Sequence, residues 1–414
     1  MSEIRVTSVL GENGSDPVGL STGFTVGPTS GTTATITHEG QASFTGIVTA
    51  TSFVPTVGQL SHRNLVTNGD MGIAQRGTSS TAIGKKTIDM FQTAQSTTDE
   101  TPQQAQADVA SGTTPYTLGF RKSFKVTNGN QTSGAQAGSI IAINYRFEAQ
   151  DIANSGWNYT SSSSYVTLSF WVKSSVAQNF YGYLRTYDGT AYGYPFETGS
   201  LSADTWTKIT KTIAGNSNLQ FDNDVDQGLR LVWNGFLGTD RTDNSATLNQ
   251  WGVYSGSART PDNTSTWYTT NDATFEITGV QLEVGPVATP FEHRSRTDEF
   301  ARCQRRYQQY VNISAVGYVP DNSSRSYSHG FFFPVEMRAA PTLSIENTGS
   351  SNGQYCGDGD TNRYISSVLS QGSKTTHMSV SFNLSGDLSN FRGAYLHGTG
   401  NTSYQTTYKI DAEL

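Results

Sequence analysis

The sequence predicts an all-β protein, on three observations. Short β-type runs recur at regular spacing with turn residues between them. Glycine and proline are abundant, at 42 and 12 of 414 residues, while charged residues make up only 15%. Within single runs, apolar residues fall on alternate positions, as the strand period of two requires.

Residues 1–62 are rich in Gly, Ser and Thr and poor in large apolar groups, so they are expected to need partners to bury a surface. Within them Thr32–Phe53 (TTATITHEGQASFTGIVTATSF) alternates small polar and β-branched residues between glycines, which suits short strands burying one face against other chains, with a flexible Ser/Thr/Gly linker as the alternative. From residue 63 to 294 the strand rhythm is continuous. It includes GSIIAINYRFE (138–148), YVTLSFWV (165–172), NFYGYLRTY (179–187), TWTKITKTI (205–213), GLRLVW (228–233) and TFEITGVQLEV (274–284). In YVTLSFWV, Val166, Leu168, Phe170 and Val172 share the face expected in the core.

One helix is expected, over residues 295–310 (SRTDEFARCQRRYQQY). Ser295 and Asp298 have capping-box spacing, and Asp298 and Glu299 suit the positive N-terminal end of a helix dipole. Phe300, Cys303, Tyr307 and Tyr310 recur at spacings of three, four and three, giving a stripe for packing or for a trimer axis. Strand patterns return over 311–414. In the final run Tyr404, Thr406, Tyr408, Ile410, Ala412 and Leu414 share one face, so a smaller C-terminal β-sandwich is expected.

Net charge is −7, which gives no footprint for a phosphate backbone, and nucleic acid is not expected as a partner. No stretch approaches the roughly 20 apolar residues of a spanning helix, so no membrane insertion is expected. The first residues lack a secretory signal, so synthesis and folding in a cytoplasm are expected. Cys303 and Cys356 are too few for a disulfide scaffold.

No nucleophile elbow, phosphate-binding loop or helical His pair is present, so no catalytic residues are assigned and a non-enzymatic role is expected. The run Asp222, Asp224, Asp226 has the alternate oxygen ligands of a calcium loop, but Trp233 stands where the closing glutamate belongs. A structural calcium is therefore an open alternative to a solvated turn, and no other cofactor is implied. Asp188 and Glu197 read as turn and rim carboxylates. Tyr181 and Tyr183 alternate on one strand and Tyr192 and Tyr194 on the next. Together they are a candidate stacking platform for sugar rings, with Arg185 and Asp188 as hydrogen-bonding neighbours, or else core or interface aromatics.

The opening NLVTNGD (64–70), with YVTLSFWVKS, TWTKITKTI and FEITGVQLEVG, resembles jelly-roll carbohydrate-binding modules. The set NLVTNGDMGIAQRG (64–77), VQLEVGPVATPFEHRS (280–295), FARCQRRYQQY (300–310) and FPVEMRAAPTLSI (333–345) resembles bacteriophage virion proteins of the tail-fibre type. SEIRVTSV and GLSTGFTV resemble the N-terminal segments of marine cyanophage fibre and decoration proteins. The resemblance implies an extended particle anchor, a jelly roll, a linking helix and a final β-domain. It implies a homotrimer located in the virion, joined to other virion proteins through residues 1–62 and contacting host surface polysaccharide. A head fibre or capsid decoration protein fits the same features, and a glycan-degrading tailspike is the enzymatic alternative. Thr278 and Gly279 stand where many such modules carry an acidic calcium ligand.

Overall fold

The computed structural model describes three short strands between residues 24 and 44, and residues 61–319, 323–347, 354–358, 361–388, 392–397 and 405–414. The chain divides into two units, Met1–Thr56 and Val57–Leu414. In the first, β1 (Phe24–Val26), β2 (Ala34–Ile36) and β3 (Ala42–Phe44) form an antiparallel sheet in the order β1-β2-β3. The rest of the expected particle anchor lies outside the described residues.

The second unit begins with a jelly roll of two six-stranded antiparallel sheets. Its strands are β4 (Ser79–Ser80), β5 (Phe91–Ser96), β6 (Gln103–Asp108), β7 (Lys122–Thr127), β8 (Ile140–Glu148) and β9 (Tyr165–Ser174). They continue with β10 (Asn179–Thr186), β11 (Tyr192–Ser200), β12 (Thr207–Ala214), β13 (Gln227–Leu237), β14 (Gly252–Val253) and β15 (Thr274–Val284). One sheet runs β14-β11-β10-β13-β8-β5 and the other β12-β9-β15-β7-β6-β4. Val166, Leu168, Phe170 and Val172 are buried between them with Leu184, Phe196, Leu231 and Trp233, as the alternation of β9 predicts. Single-turn helices α1 (Thr114–Thr117), α2 (Ala149–Ala153) and α3 (Thr266–Thr269) fill connections.

The opening motif closes this sandwich. Asn64 donates from Nδ2 to the Val280 carbonyl, and its Oδ1 accepts from the amides of Val66 and Leu282, so one side chain ties the entering chain to β15. Asn68 takes a left-handed φ of 61° and returns its side chain to Ile73 and Asp89. A Cβ on Gly69 would lie 2.1 Å from the Val280 carbonyl oxygen, so only glycine passes there. Arg294 donates to the carbonyls of Asn64 and Val66 and pairs with Glu292 and Glu299, while Glu299 also accepts from the Asn68 amide. Partial burial works against the Glu292 carboxylate. Amide donors from Asn64, Arg63 and His62, with Arg294, nevertheless hold its pKa below the ordinary value.

Helix α4 spans Arg296–Gln304, with the Ser295 side chain accepting from the Asp298 amide as the capping pattern predicts. The helix does not reach Tyr310. Tyr307–Val311 is instead a strand, β16, because the Tyr-Gln-Gln-Tyr-Val run hydrogen-bonds along the strand Thr406–Asp411, and these long-range pairs override the helical spacing. The expected stripe is dispersed: Phe300 is on the helix surface, Cys303 is buried in the jelly-roll core, and Tyr307 and Tyr310 lie on β16. Tyr307 is covered by the Arg76 guanidinium, 3.5 Å above its ring.

The remaining strands are β17 (Val316–Val319), β18 (Ser323–Phe332), β19 (Thr342–Asn347), β20 (Tyr355–Gly357), β21 (Asn362–Ser373), β22 (His377–Leu388), β23 (Arg392–His397) and β24 (Thr406–Asp411). The C-terminal β-domain takes a more closed form than two open sheets: β17-β18-β22-β21-β20-β23 is a closed barrel, beside a sheet β16-β24-β19. Long, strongly paired β21 and β22 allow the sheet to close on itself, which removes its open edges. On β24 and just after it, Thr406, Tyr408, Ile410 and Ala412 are buried, on the face that the alternation predicts.

A buried charge cluster joins the jelly roll to the C-terminal β-domain. Glu148, at the end of β8, accepts two bonds from Arg305 at 2.9 and 3.0 Å and pairs with Arg306 at 3.3 Å and Arg338 at 3.6 Å. Arg338 also donates to the carbonyls of Ala412 and Val225. Beside it, buried Glu413 pairs with Lys85 at 2.9 Å and Arg76 at 3.3 Å. Burial opposes ionisation of Glu413, but Lys85, Arg76 and Arg306 outweigh it and lower its pKa.

Glu148→Gln leaves buried Arg306 and Arg338, with half-exposed Arg305, short of a counter-charge and is expected to cost about 3–5 kcal/mol; urea unfolding at neutral pH reads this directly, and a loss below about 1 kcal/mol would contradict it. His329 is buried in the barrel, its Nε2 2.6 Å from Ser326 Oγ, and burial lowers its pKa to about 4. Stability from its neutral ring is complete above about pH 6.5 and is lost as the pH falls toward 4, by roughly 3 kcal/mol. Melting curves from pH 7 to 4 should therefore be steeper for the parent chain than for His329→Gln, and identical slopes would refute the assignment.

Candidate functional site

The candidate site lies on the outer face of the sheet β14-β11-β10-β13-β8-β5. Register decides which side chains share that face. Tyr181 pairs with Glu197, Tyr183 with Pro195 and Arg185 with Gly193 across β10 and β11, so these six positions point outward together. Tyr194 pairs instead with core residue Leu184 and is itself buried in the core. Tyr192 packs against the same core from the strand's start. The expected platform of Tyr181, Tyr183, Tyr192 and Tyr194 is therefore divided between two faces. Alternation within each strand is correct, but the phase between strands is fixed by hydrogen-bond register, which composition does not reveal.

Tyr183 is 5% exposed, and its burial raises the phenol pKa to about 12. It is covered by the segment after β13, which folds back along the sheet and pairs through β14 with β11. The segment is held at several points. The Asn249 amide donates to the Pro195 carbonyl and the Tyr254 amide to the Ala191 carbonyl, each at 2.8 Å. The Trp251 indole donates to the Ala214 carbonyl at 2.8 Å, and the Arg259 amide donates to the Arg241 carbonyl at 2.9 Å. Between this segment and the strands lies a groove of about 320 Å³, walled by Tyr183, Pro195, Gln250, Trp251, Tyr254 and Arg259. The Tyr183 and Tyr254 ring centroids are 6.2 Å apart, and the Arg185 guanidinium lies 4.0 Å from the Tyr254 ring.

Sequence reasoning identified Tyr183 and Arg185 but missed Gln250, Trp251, Tyr254 and Arg259. The available signal was the aromatic cluster Trp251-Gly252-Val253-Tyr254 inside an otherwise polar, turn-rich segment. Aromatic rings and amide, hydroxyl and guanidinium groups converge here, an arrangement suited to apolar ring faces carrying polar edges. Among the described residues lining the groove there is no Asp, Glu, His or Cys, so it offers binding groups without a carboxylate or imidazole for acid–base chemistry.

A second groove, of about 360 Å³, lies on the opposite sheet beside Trp171, Lys208, Phe120, Phe291 and His293. Its rings largely satisfy one another: Phe120 and Phe291 are 4.9 Å apart, as are Phe291 and His293, and His293 Nε2 is 2.9 Å from the Leu118 carbonyl. Thr278 and Gly279 have structural partners here. Thr278 donates to the Lys122 carbonyl, and a Cβ on Gly279, at φ 62°, would lie 2.6 Å from the Phe120 ring.

The aspartate run is an exposed turn. The Asp222 amide donates to Asp188, Asp222 accepts from Gln220, and Asp224 accepts from the Asp226 amide. Burial and the three neighbouring aspartates raise the Asp188 pKa. Among the described residues no group of three or more His, Cys, Asp or Glu is arranged to hold a metal ion, so Asp222, Asp224 and Asp226 are not brought together as a calcium site.

No protein-family model matches the chain, and no curated protein matches it. Similar solved structures include a CBM4 structure (12% identity, 44% of this chain and 77% of that one, TM-score 0.23). Another is a family 11 carbohydrate-binding module from Clostridium thermocellum in complex with a β-1,3-1,4-mixed-linked tetrasaccharide (10%, 48% and 91%, TM-score 0.23). A third is the N-terminal CBM22-1-CBM22-2 tandem domain of Paenibacillus barcinonensis Xyn10C (8%, 87% and 98%, TM-score 0.26). The jelly-roll assignment rests on the two six-stranded sheets themselves.

Proposed function

We propose that this chain is a non-catalytic, glycan-binding structural protein of a bacteriophage particle, a tail fibre whose jelly roll meets host surface polysaccharide. The observation that carries the glycan reading is the groove: Tyr183, Trp251 and Tyr254 wall a preformed cleft edged by Gln250 and Arg259. A pyranose presents an apolar C–H face to such rings and its hydroxyls to the edge groups.

Support for the virion reading comes from the sequence resemblance, and the motifs that carry it have mechanical roles. Asn64 and Arg294 close the jelly roll, while Arg305, Arg306 and Arg338 join it to the C-terminal β-domain. Residues 1–62 are proposed to attach the chain to other virion proteins. Homotrimer formation is part of the same proposal. Its support shifts from the helix stripe to the barrel surface, where Val316, Tyr318 and Tyr395 on neighbouring strands β17 and β23 are exposed. Location on the head rather than the tail is the second reading, and the two share every feature of the chain.

Glycan-array binding by the full chain, with Trp251→Ala and Tyr254→Ala as variants, tests the site. Each lost ring is expected to remove about 1 kcal/mol, roughly a fivefold loss of affinity. Folded variants that bind as the parent does, with Trp171→Ala abolishing binding, would move the site to the opposite sheet.

A further inference from the structure

Next to the groove, three arginines stand directly opposite one another on three adjacent strands. Arg185 of β10 pairs in register with Arg230 of β13, and Arg230 pairs with Arg146 of β8. Strands lie about 4.8 Å apart, so the row crosses about 10 Å of the outer face. Like charges opposed in this way destabilise a sheet. Carboxylate side chains do not offset this: among the described residues no Asp or Glu forms an ion pair with any of the three, while Arg146 Nη1 donates to the Leu414 main-chain oxygen and Arg230 Nη2 to Gln227 Oε1. The buried Glu413 carboxylate is taken by Lys85 and Arg76.

The row is also a concentration of unused donors. Nε of Arg146, Nε of Arg185, Nε of Arg230, the Tyr187 hydroxyl and Nε2 of Gln227 are all buried without a hydrogen-bond partner. Two of the guanidiniums are held in place by stacking. Arg185 lies 4.0 Å from the Tyr254 ring and 4.5 Å from the Tyr187 ring, and Arg230 lies 4.8 Å from Tyr187. Tyr254 belongs to both the row and the groove, so the two surfaces are continuous.

We infer that the Arg146–Arg230–Arg185 row binds the oxyanions of an acidic polysaccharide, carboxylate or sulfate groups, whose sugar rings lie in the groove. This inference rests on the glycan reading and names its ligand class. Planar guanidinium forks match such oxyanions, and the missing counter-charge then arrives with the ligand.

The test uses the full chain and three acidic polymers, polygalacturonate, alginate and heparin. The two uronates are paired with their carboxyl-reduced forms and heparin with its desulfated form. The expected result is at least tenfold tighter binding of one or more acidic forms than of the matched neutral form, weakening as salt rises. Arg230→Gln should abolish that preference while raising the melting temperature, because it relieves like-charge opposition; a row with only a structural role would lose stability instead. If Arg230→Gln fails to fold, the salt dependence and the acid-to-neutral ratio of the parent chain still decide. Equal binding of charged and neutral forms, with loss on Tyr254→Ala, would overturn the inference and leave the glycan reading intact. No binding of any polymer would overturn the inference. Inorganic sulfate, or RNA, competing as well as the polysaccharide at equal charge would also overturn it, since the row would then recognise charge alone.

Discussion

The structure of the second unit depends on one buried carboxylate. Glu148 is almost fully enclosed, and a buried charge is tolerated only when it is paired and hydrogen-bonded. Its partners Arg305 and Arg306 follow α4 directly, and Arg338 comes from the loop before β19. For these three to converge, the chain must leave the helix at Gln304, turn, and enter β16 against β24. The helix end, the β16-β24-β19 pairing and the seat of the barrel on the jelly roll are thus all tied to satisfying one group. A buried ion cluster adds little net stability over apolar packing, but it heavily penalises any other arrangement of the same segments.

That seam also fixes the surroundings of the outer sheet face. Arg306 donates to the Arg146 carbonyl, holding the end of β8, and β8 places Arg146 in register with Arg230 and Arg185. The chemistry of the two regions differs accordingly. At the seam, arginines converge on carboxylates and close the interior. On the face, arginines lie side by side with donors unspent and aromatic rings between them. Like charges opposed without an Asp or Glu partner stabilise that face less than the seam, a cost consistent with the binding role proposed for it.

Much of the fold was legible because strand periodicity is a local signal. The core face of β9 and the buried side of β24 read directly from alternation, and the Ser295 cap from a three-residue pattern. What failed depended on non-local information. Tyr307 and Tyr310 fit a helical spacing, yet pairing with Lys409 and its neighbours made them a strand. Tyr183 and Tyr194 alternate correctly within their strands but fall on opposite faces, because Leu184, not Tyr183, opposes Tyr194. The arginine row was invisible for the same reason: residues 146, 185 and 230 are far apart in sequence, and only register aligns them. Trp251 and Tyr254 were within reach of sequence reasoning, as a pair of aromatics in a turn-rich segment, but nothing local tied that segment to β11.

Glycan is proposed to enter the groove between β11 and the segment that carries Trp251. The chain has six tryptophans, and Trp251 borders this groove while Trp171 borders the one on the opposite sheet. Indole resonances of the full chain, followed by nuclear magnetic resonance during titration with the tightest-binding oligosaccharide, separate the two directly. The Trp251 indole signal is expected to move and saturate with binding while that of Trp171 stays fixed. A Trp171 signal that moves while Trp251 is unchanged would contradict it.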